Sequence, residues 1–64
     1  MSQDEEMLTT DEVAKILRVN VKTVRNWIAS GELVAIDIGN EYRISRKNLN
    51  DFMQRRQTDK RRKE

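Results

Sequence analysis

The stretch TTDEVAKILRVNVKTVRNWIASG, residues 9–31, holds two short helices and the turn between them. Thr9 with Glu12 three positions later has capping-box spacing, in which the hydroxyl accepts from the N3 amide and the carboxylate accepts from the cap's own N–H. Val13, Ile16 and Leu17 then recur at helical intervals, so the spacing predicts a first helix over about 10–17. Arg18-Val19-Asn20 carries no periodic continuation, and Asn20 has the chemistry of an N-cap for a second helix over 21–30, stopped by Gly31. On that second helix Val21, Val24, Trp27 and Ile28 share one arc, while Lys22, Arg25, Asn26 and Ala29 fan across the other. One arc is built for a core and the other is polar and basic.

Downstream of Gly31 the hydrophobic period changes from helical to two. Val34, Ile36 and Ile38 alternate with Ala35 and Asp37, and Tyr42 and Ile44 flank Arg43, with Gly39-Asn40-Glu41 between the runs: a β-hairpin over 34–44. A two-residue Gly39-Asn40 loop would set Ile38 opposite Glu41 and Ile36 opposite Arg43. A three-residue loop pairs Ile38 with Tyr42, Ile36 with Ile44 and Asp37 with Arg43, which keeps each face chemically uniform, so the pattern favours that register. Ser45 then caps a third helix of about 46–56 whose apolar stripe is Leu49, Phe52 and Met53. Trp27, Tyr42 and Phe52 each fall on an apolar stripe and are expected in the core. The predicted order is helix, turn, helix, hairpin, helix: a mainly α fold with a small β-hairpin.

Length and composition narrow the function. At 64 residues the chain holds one small domain, too little for a deep substrate cleft beside a self-sufficient core. It contains no His and no Cys, so it offers no zinc cluster, disulfide, thiol nucleophile or imidazole base. An enzyme is not expected, nor is a metal or cofactor. No apolar run approaches a membrane span, and the opening MSQDEEML is acidic where a secretory signal is basic and then apolar. A soluble, cytoplasmic protein of bacterial style is expected. The net charge of +2 conceals a dipole: residues 1–8 carry minus three, residues 9–45 are balanced, and residues 46–64 carry plus five. Of 23 hydrophobic residues, 22 lie between Met7 and Met53. The folded domain is therefore expected over 7–56, between a flexible acidic leader at 1–6 and a flexible basic tail at 57–64.

The helix-turn-helix unit has the size used to place a second helix in the DNA major groove. Many helical hairpins carry a polar outer face merely for solubility, but such a face mixes signs, and here no acid occurs from Asn20 to Gly31. Lys22 and Thr23 sit in the first turn, where side chains and backbone amides suit phosphate. Arg25 and Asn26 are natural base readers, Arg for guanine O6/N7 and Asn for adenine N6/N7, with Lys22 beside them as a third base contact. The alternative for Arg25 is a rim salt bridge. From the hairpin Arg43 reaches a phosphate, or else merely pairs with Asp37. Arg46 and Lys47 open the third helix, where the macrodipole disfavours each cation by roughly 0.3–1 kcal/mol and a bound phosphate would offset that cost. Arg55 and Arg56, with Lys60, Arg61, Arg62 and Lys63, form a second basic group suited to nonspecific phosphate contact.

Residues 8–53, LTTDEVAKILRVNVKTVRNWIASGELVAIDIGNEYRISRKNLNDFM, resemble the excisionase-type DNA-binding domain, a winged helix-turn-helix related to the MerR superfamily. The matching features are Leu8-Thr9 and Glu12, Val19 in the turn, Val21-Lys22-Thr23-Val24, Ser30-Gly31-Glu32-Leu33, Tyr42-Arg43-Ile44, and Leu49 with Phe52. The resemblance implies that the second helix enters the major groove and the wing approaches the adjacent groove, which maps onto Lys22, Thr23, Arg25, Asn26 and Arg43. Two positions depart from the pattern: Arg18 stands where a small residue is common, and Asn40-Glu41 occupies a wing tip that often carries bases. The implied function is sequence-specific binding of double-stranded DNA, as a recombination directionality factor or a small transcription regulator in the bacterial nucleoid. The implied partners are DNA, an integrase or recombinase, and further copies of the chain on adjacent sites; no membrane or small-molecule effector is expected. A rival reading is a protein-interaction adaptor that recruits a recombinase or regulator and touches DNA only nonspecifically. An RNA-binding reading is weaker, because no exposed aromatic platform accompanies the basic face.

Overall fold

A computed structural model describes residues 6–57. The expected acidic leader and basic tail lie outside those residues except for Glu6 and Gln57. The element order is β1 (Met7–Thr9), α1 (Thr10–Leu17), α2 (Val21–Ser30), β2 (Ile36–Ile38), β3 (Glu41–Ser45) and α3 (Arg46–Arg56), a winged helix-turn-helix.

The helix boundaries follow the caps. The Thr9 hydroxyl accepts from the Glu12 amide at 3.0 Å and the Glu12 carboxylate accepts from the Thr9 amide at 2.9 Å, closing the capping box. Ser45 accepts from the Asn48 amide at 3.0 Å and starts α3. Gly31, at φ 86°, ends α2 in the left-handed region that glycine enters without a Cβ penalty. Two ends depart from expectation. Asn20 occupies the N-cap of α2, yet its side chain makes no capping bond; only its carbonyl accepts, from Thr23 and Val24 at 3.0 and 3.3 Å. Arg18 ends α1 at φ 59°, ψ 48°, a conformation that costs a non-glycine residue about 1–2 kcal/mol. That geometry turns the chain in three residues, with the amides of Arg18 and Val19 donating to the Lys15 and Ala14 carbonyls.

The sheet has three antiparallel strands in the order β1-β3-β2. β1 was not legible as a strand; it pairs Leu8 with Ile44 and so completes the core face of β3. The hairpin register is the one the hydrophobic pattern disfavoured. β2 and β3 pair Ile36 with Arg43, Asp37 with Tyr42 and Ile38 with Glu41 around the two-residue Gly39-Asn40 loop. Gly39 has φ 64° while Asn40 does not enter positive φ, which is the type II′ arrangement with glycine first. The face argument failed because β2 has no buried face: Ile36 and Ile38 are 49% and 56% exposed. With this register Asp37 no longer faces Arg43; Arg43 pairs instead with Glu41 on its own strand.

All three helices meet in one core of Leu8, Val13, Ala14, Val24, Leu33, Ile44, Leu49 and Phe52. Leu33, from the loop after α2, is only 1% exposed, and its amide is held by the Trp27 carbonyl at 3.1 Å. Trp27 packs against this core and its ring meets Phe52 at 4.8 Å between centroids. Tyr42 does not join them: it sits at the end of the core face and remains 36% exposed.

Candidate nucleic-acid interface

The apolar arc of α2, anchored by fully buried Val24, turns the opposite arc outward, and Lys22, Arg25, Asn26 and Ala29 are all exposed there; Thr23 is half-buried beside them. The first turn of α2 contains no acid and receives no side-chain cap. The positive dipole end of the helix therefore lies beside the exposed Lys22 ammonium with no acid of its own turn to offset it. Among the described residues neither Lys22 nor Arg25 is in an ion pair.

Arg25 also borders a cleft of about 410 Å³. Thr9, Thr10 and Asp11 at the start of α1 and Asn40, Glu41, Tyr42 and Arg43 of the wing line it as well. The fold thus brings Arg25 of α2 and Arg43 of the wing to one concave surface, which Tyr42, Asp11 and Glu41 also line. Alternation had assigned Tyr42 to the core, and no sequence signal separates it from Ile44 two residues on. The difference is position along β3: Ile44 is backed by Leu8 of β1, whereas Tyr42 lies beyond the end of β1.

The other expected contacts are engaged within the protein. Arg43 is paired with Glu41, Arg46 with Glu6 at 3.6 Å, and Lys47 with Asp51 at 3.4 Å along α3. The Arg46 amide also donates to the Glu6 carbonyl at 2.8 Å, which fixes the chain entering β1 against the first turn of α3. At the other end of α3, Arg55 donates to the Glu32 carbonyl at 3.0 Å and Arg56 pairs with the Glu32 carboxylate. The Arg56 guanidinium lies 5.2 Å from the Trp27 ring centroid and 4.9 Å from that of Phe52, so it stacks over both aromatics. These two arginines fasten α3 to the far end of α2, away from the Lys22 turn. All these ion pairs are partly exposed, and such pairs exchange readily for another anion.

Residues 7–57 match the family model described as "Helix-turn-helix domain", most of the chain. The chain belongs to this excisionase-type helix-turn-helix family. Two curated relatives from two strains of Mycobacterium tuberculosis, each named "Putative DNA-binding protein", are 35% identical to it over 49 residues, covering 77% of this chain and 63% of theirs. The helix-turn-helix chain thus spans somewhat under two thirds of the length of these relatives. No solved structure matches it. Among the described residues no group of acidic side chains could hold a metal ion, and no helix is long and apolar enough to cross a membrane.

Proposed function

We propose that this chain binds double-stranded DNA and reads its sequence through α2. The observation that carries the reading is the outer face of α2: exposed, free of acids of its own, and presenting Lys22 and Arg25, in no ion pair among the described residues, beside Asn26. A helix placed in the major groove brings Arg25, Asn26 and Lys22 to base edges, while Thr23 and the α2 N-terminus meet the backbone. Arg43 lies across the cleft, where the wing reaches a neighbouring phosphate once DNA displaces Glu41. Arg46 and Lys47 exchange Glu6 and Asp51 for phosphate in the same way. Arg55 and Arg56 serve first to hold α3 in place and add phosphate contact only secondarily.

The family and the names of the mycobacterial relatives support DNA binding as the general activity. Within it, the chain acts without catalysis, as a recombination directionality factor or a compact transcription regulator. Its binding face is one helix and one wing, so affinity for a single site is modest and specificity draws on paired or repeated sites. A titration against duplex DNA over a range of salt tests the reading: neutralising five to eight phosphates gives a slope of log K against log salt of about minus 4.5 to minus 7. Binding that does not change with salt overturns it. If Lys22→Ala and Arg25→Ala together leave recruitment of a recombinase and the activity of the chain intact, the adaptor reading replaces it.

A further inference from the structure

Successive side chains of a strand alternate between its two faces, so Glu41 and Arg43, two positions apart on β3, lie on the same one. Residues directly opposite share that face: Ile38 stands across from Glu41, and Arg43 has Ile36 on one side and Thr9 on the other. Asp37 stands opposite Tyr42 and belongs to the other face. The neighbouring strands therefore offer Arg43 no acid, and the carboxylate it holds is that of Glu41 on its own strand. From this pairing we infer that Glu41 is a selectivity residue, a role that rests on the DNA-binding reading and deepens it. It holds Arg43 back from arbitrary DNA, so that the wing engages a phosphate only where α2 has found its bases.

The pair has little to do for the fold. Its side chains are 33% and 64% exposed for Arg43 and Glu41, neither belongs to the core, and exposed ion pairs contribute little to stability. What distinguishes it is its place. Both residues line the cleft that Arg25 and Asp11 also line, and Arg43 is the one cation in the hairpin sequence 34–44. Affinity for arbitrary duplex comes almost wholly from neutralising phosphates. Exchanging Glu41 for a phosphate is easy in itself, but the displaced carboxylate cannot leave, because the backbone tethers it two residues away. The phosphate then lies near an unpaired Glu41, with Asp11 on the same cleft, and repulsion offsets what Arg43 gained. On arbitrary DNA the wing consequently adds almost nothing. Where Arg25 and Asn26 sit on their base edges, α2 holds the duplex against the cleft and carries the exchange through. A group that repels every duplex but is overcome only on the right one widens the gap between them, which is how repulsion generates specificity.

Fluorescence anisotropy with the full-length chain tests this on two probes: a labelled duplex of random sequence, and a duplex enriched from a random pool by the unmodified chain. Glu41→Gln keeps the size and shape of an exposed side chain, so its thermal melt is expected to match that of the unmodified chain. On the random duplex it is expected to bind about five- to tenfold more tightly near 0.1 M salt, with the slope of log K against log salt steeper by about 0.9, the signature of one added phosphate contact. On the enriched duplex, where Arg43 already has its phosphate, the change is expected to stay under about twofold, so the specificity ratio falls. Adding Arg43→Ala to Glu41→Gln is expected to take the gain back. Equal binding of the random duplex by Glu41→Gln and the unmodified chain overturns the inference. So does a gain that survives Arg43→Ala, which makes Glu41 a general repulsive charge, and so does an equal gain on both duplexes. In each of these cases salt-dependent binding by the unmodified chain leaves the DNA-binding reading standing. An unmodified chain that binds without salt dependence, or enriches no sequence, overturns the DNA-binding reading itself and the role of Glu41 with it.

Discussion

The cations of α2 and those of α3 are the same residue types on helices of nearly equal length, yet the fold treats them oppositely. Lys22 and Arg25 are exposed and in no ion pair among the described residues, although Arg25 shares its cleft with Asp11 and Glu41, while Arg46, Lys47 and Arg56 each hold a carboxylate and Arg55 holds a backbone carbonyl. The reason lies in the neighbours. α2 has no acid of its own, and the cations of its outer arc form no ion pair with the elements beside them; α3 starts beside Glu6, contains Asp51, and ends against Glu32. Count of charge therefore says little about function here, and unpaired charge says much. The α2 cations remain available to a polyanion, and the α3 cations near Glu32 spend their interaction on assembling the domain.

The contrast can be broken at its root by removing what joins the two helices. Leu33 lies under Glu32 at that joint and is fully buried, so Leu33→Ala is expected to lower the unfolding free energy by about 2–5 kcal/mol in a urea melt, costing DNA binding and α3 docking together. Arg25→Ala is expected to cost about 1–3 kcal/mol of affinity on a preferred DNA site, measured by fluorescence anisotropy, with the melting temperature unchanged. Arg56→Ala reverses that outcome: it removes an exposed ion pair and a cation over two rings, so a thermal melt loses about 1 kcal/mol of stability. Affinity for DNA then stays within a small factor wherever the domain is folded. The smallest effect belongs to Arg18→Gly, which relieves the left-handed backbone in the turn and is expected to raise stability by about 0.5–1 kcal/mol, with DNA binding unaltered.

The helices were legible because each is bounded by local chemistry: the Thr9–Glu12 box, Gly31, and Ser45 all act within a few residues of themselves. The sheet was not, because its determinants are either distant or absent. β1 is three residues long, too short for an alternation to register, and its partner β3 lies far along the chain. The β2 register was misread because alternation specifies pairing only where one face is buried, and β2 is exposed on both. The basic face of α2 could be read directly, since the signal was the lack of acids in one continuous segment. The roles of Arg55 and Arg56 could not: their partner Glu32 is 23 and 24 residues away, and only the folded chain brings them together. Tyr42 escaped for the same reason, since whether it is covered depends on where β1 ends.

The central claim is that α2 reads bases with Arg25 rather than merely attracting the DNA backbone. Selection of bound duplexes from a random pool, performed in parallel with the unmodified chain and with Arg25→Ala, tests this most directly. The account predicts that the unmodified chain enriches a defined sequence and that Arg25→Ala loses preference at one position of it while retaining the others. Enrichment of no sequence, or an identical sequence from both proteins, would contradict it.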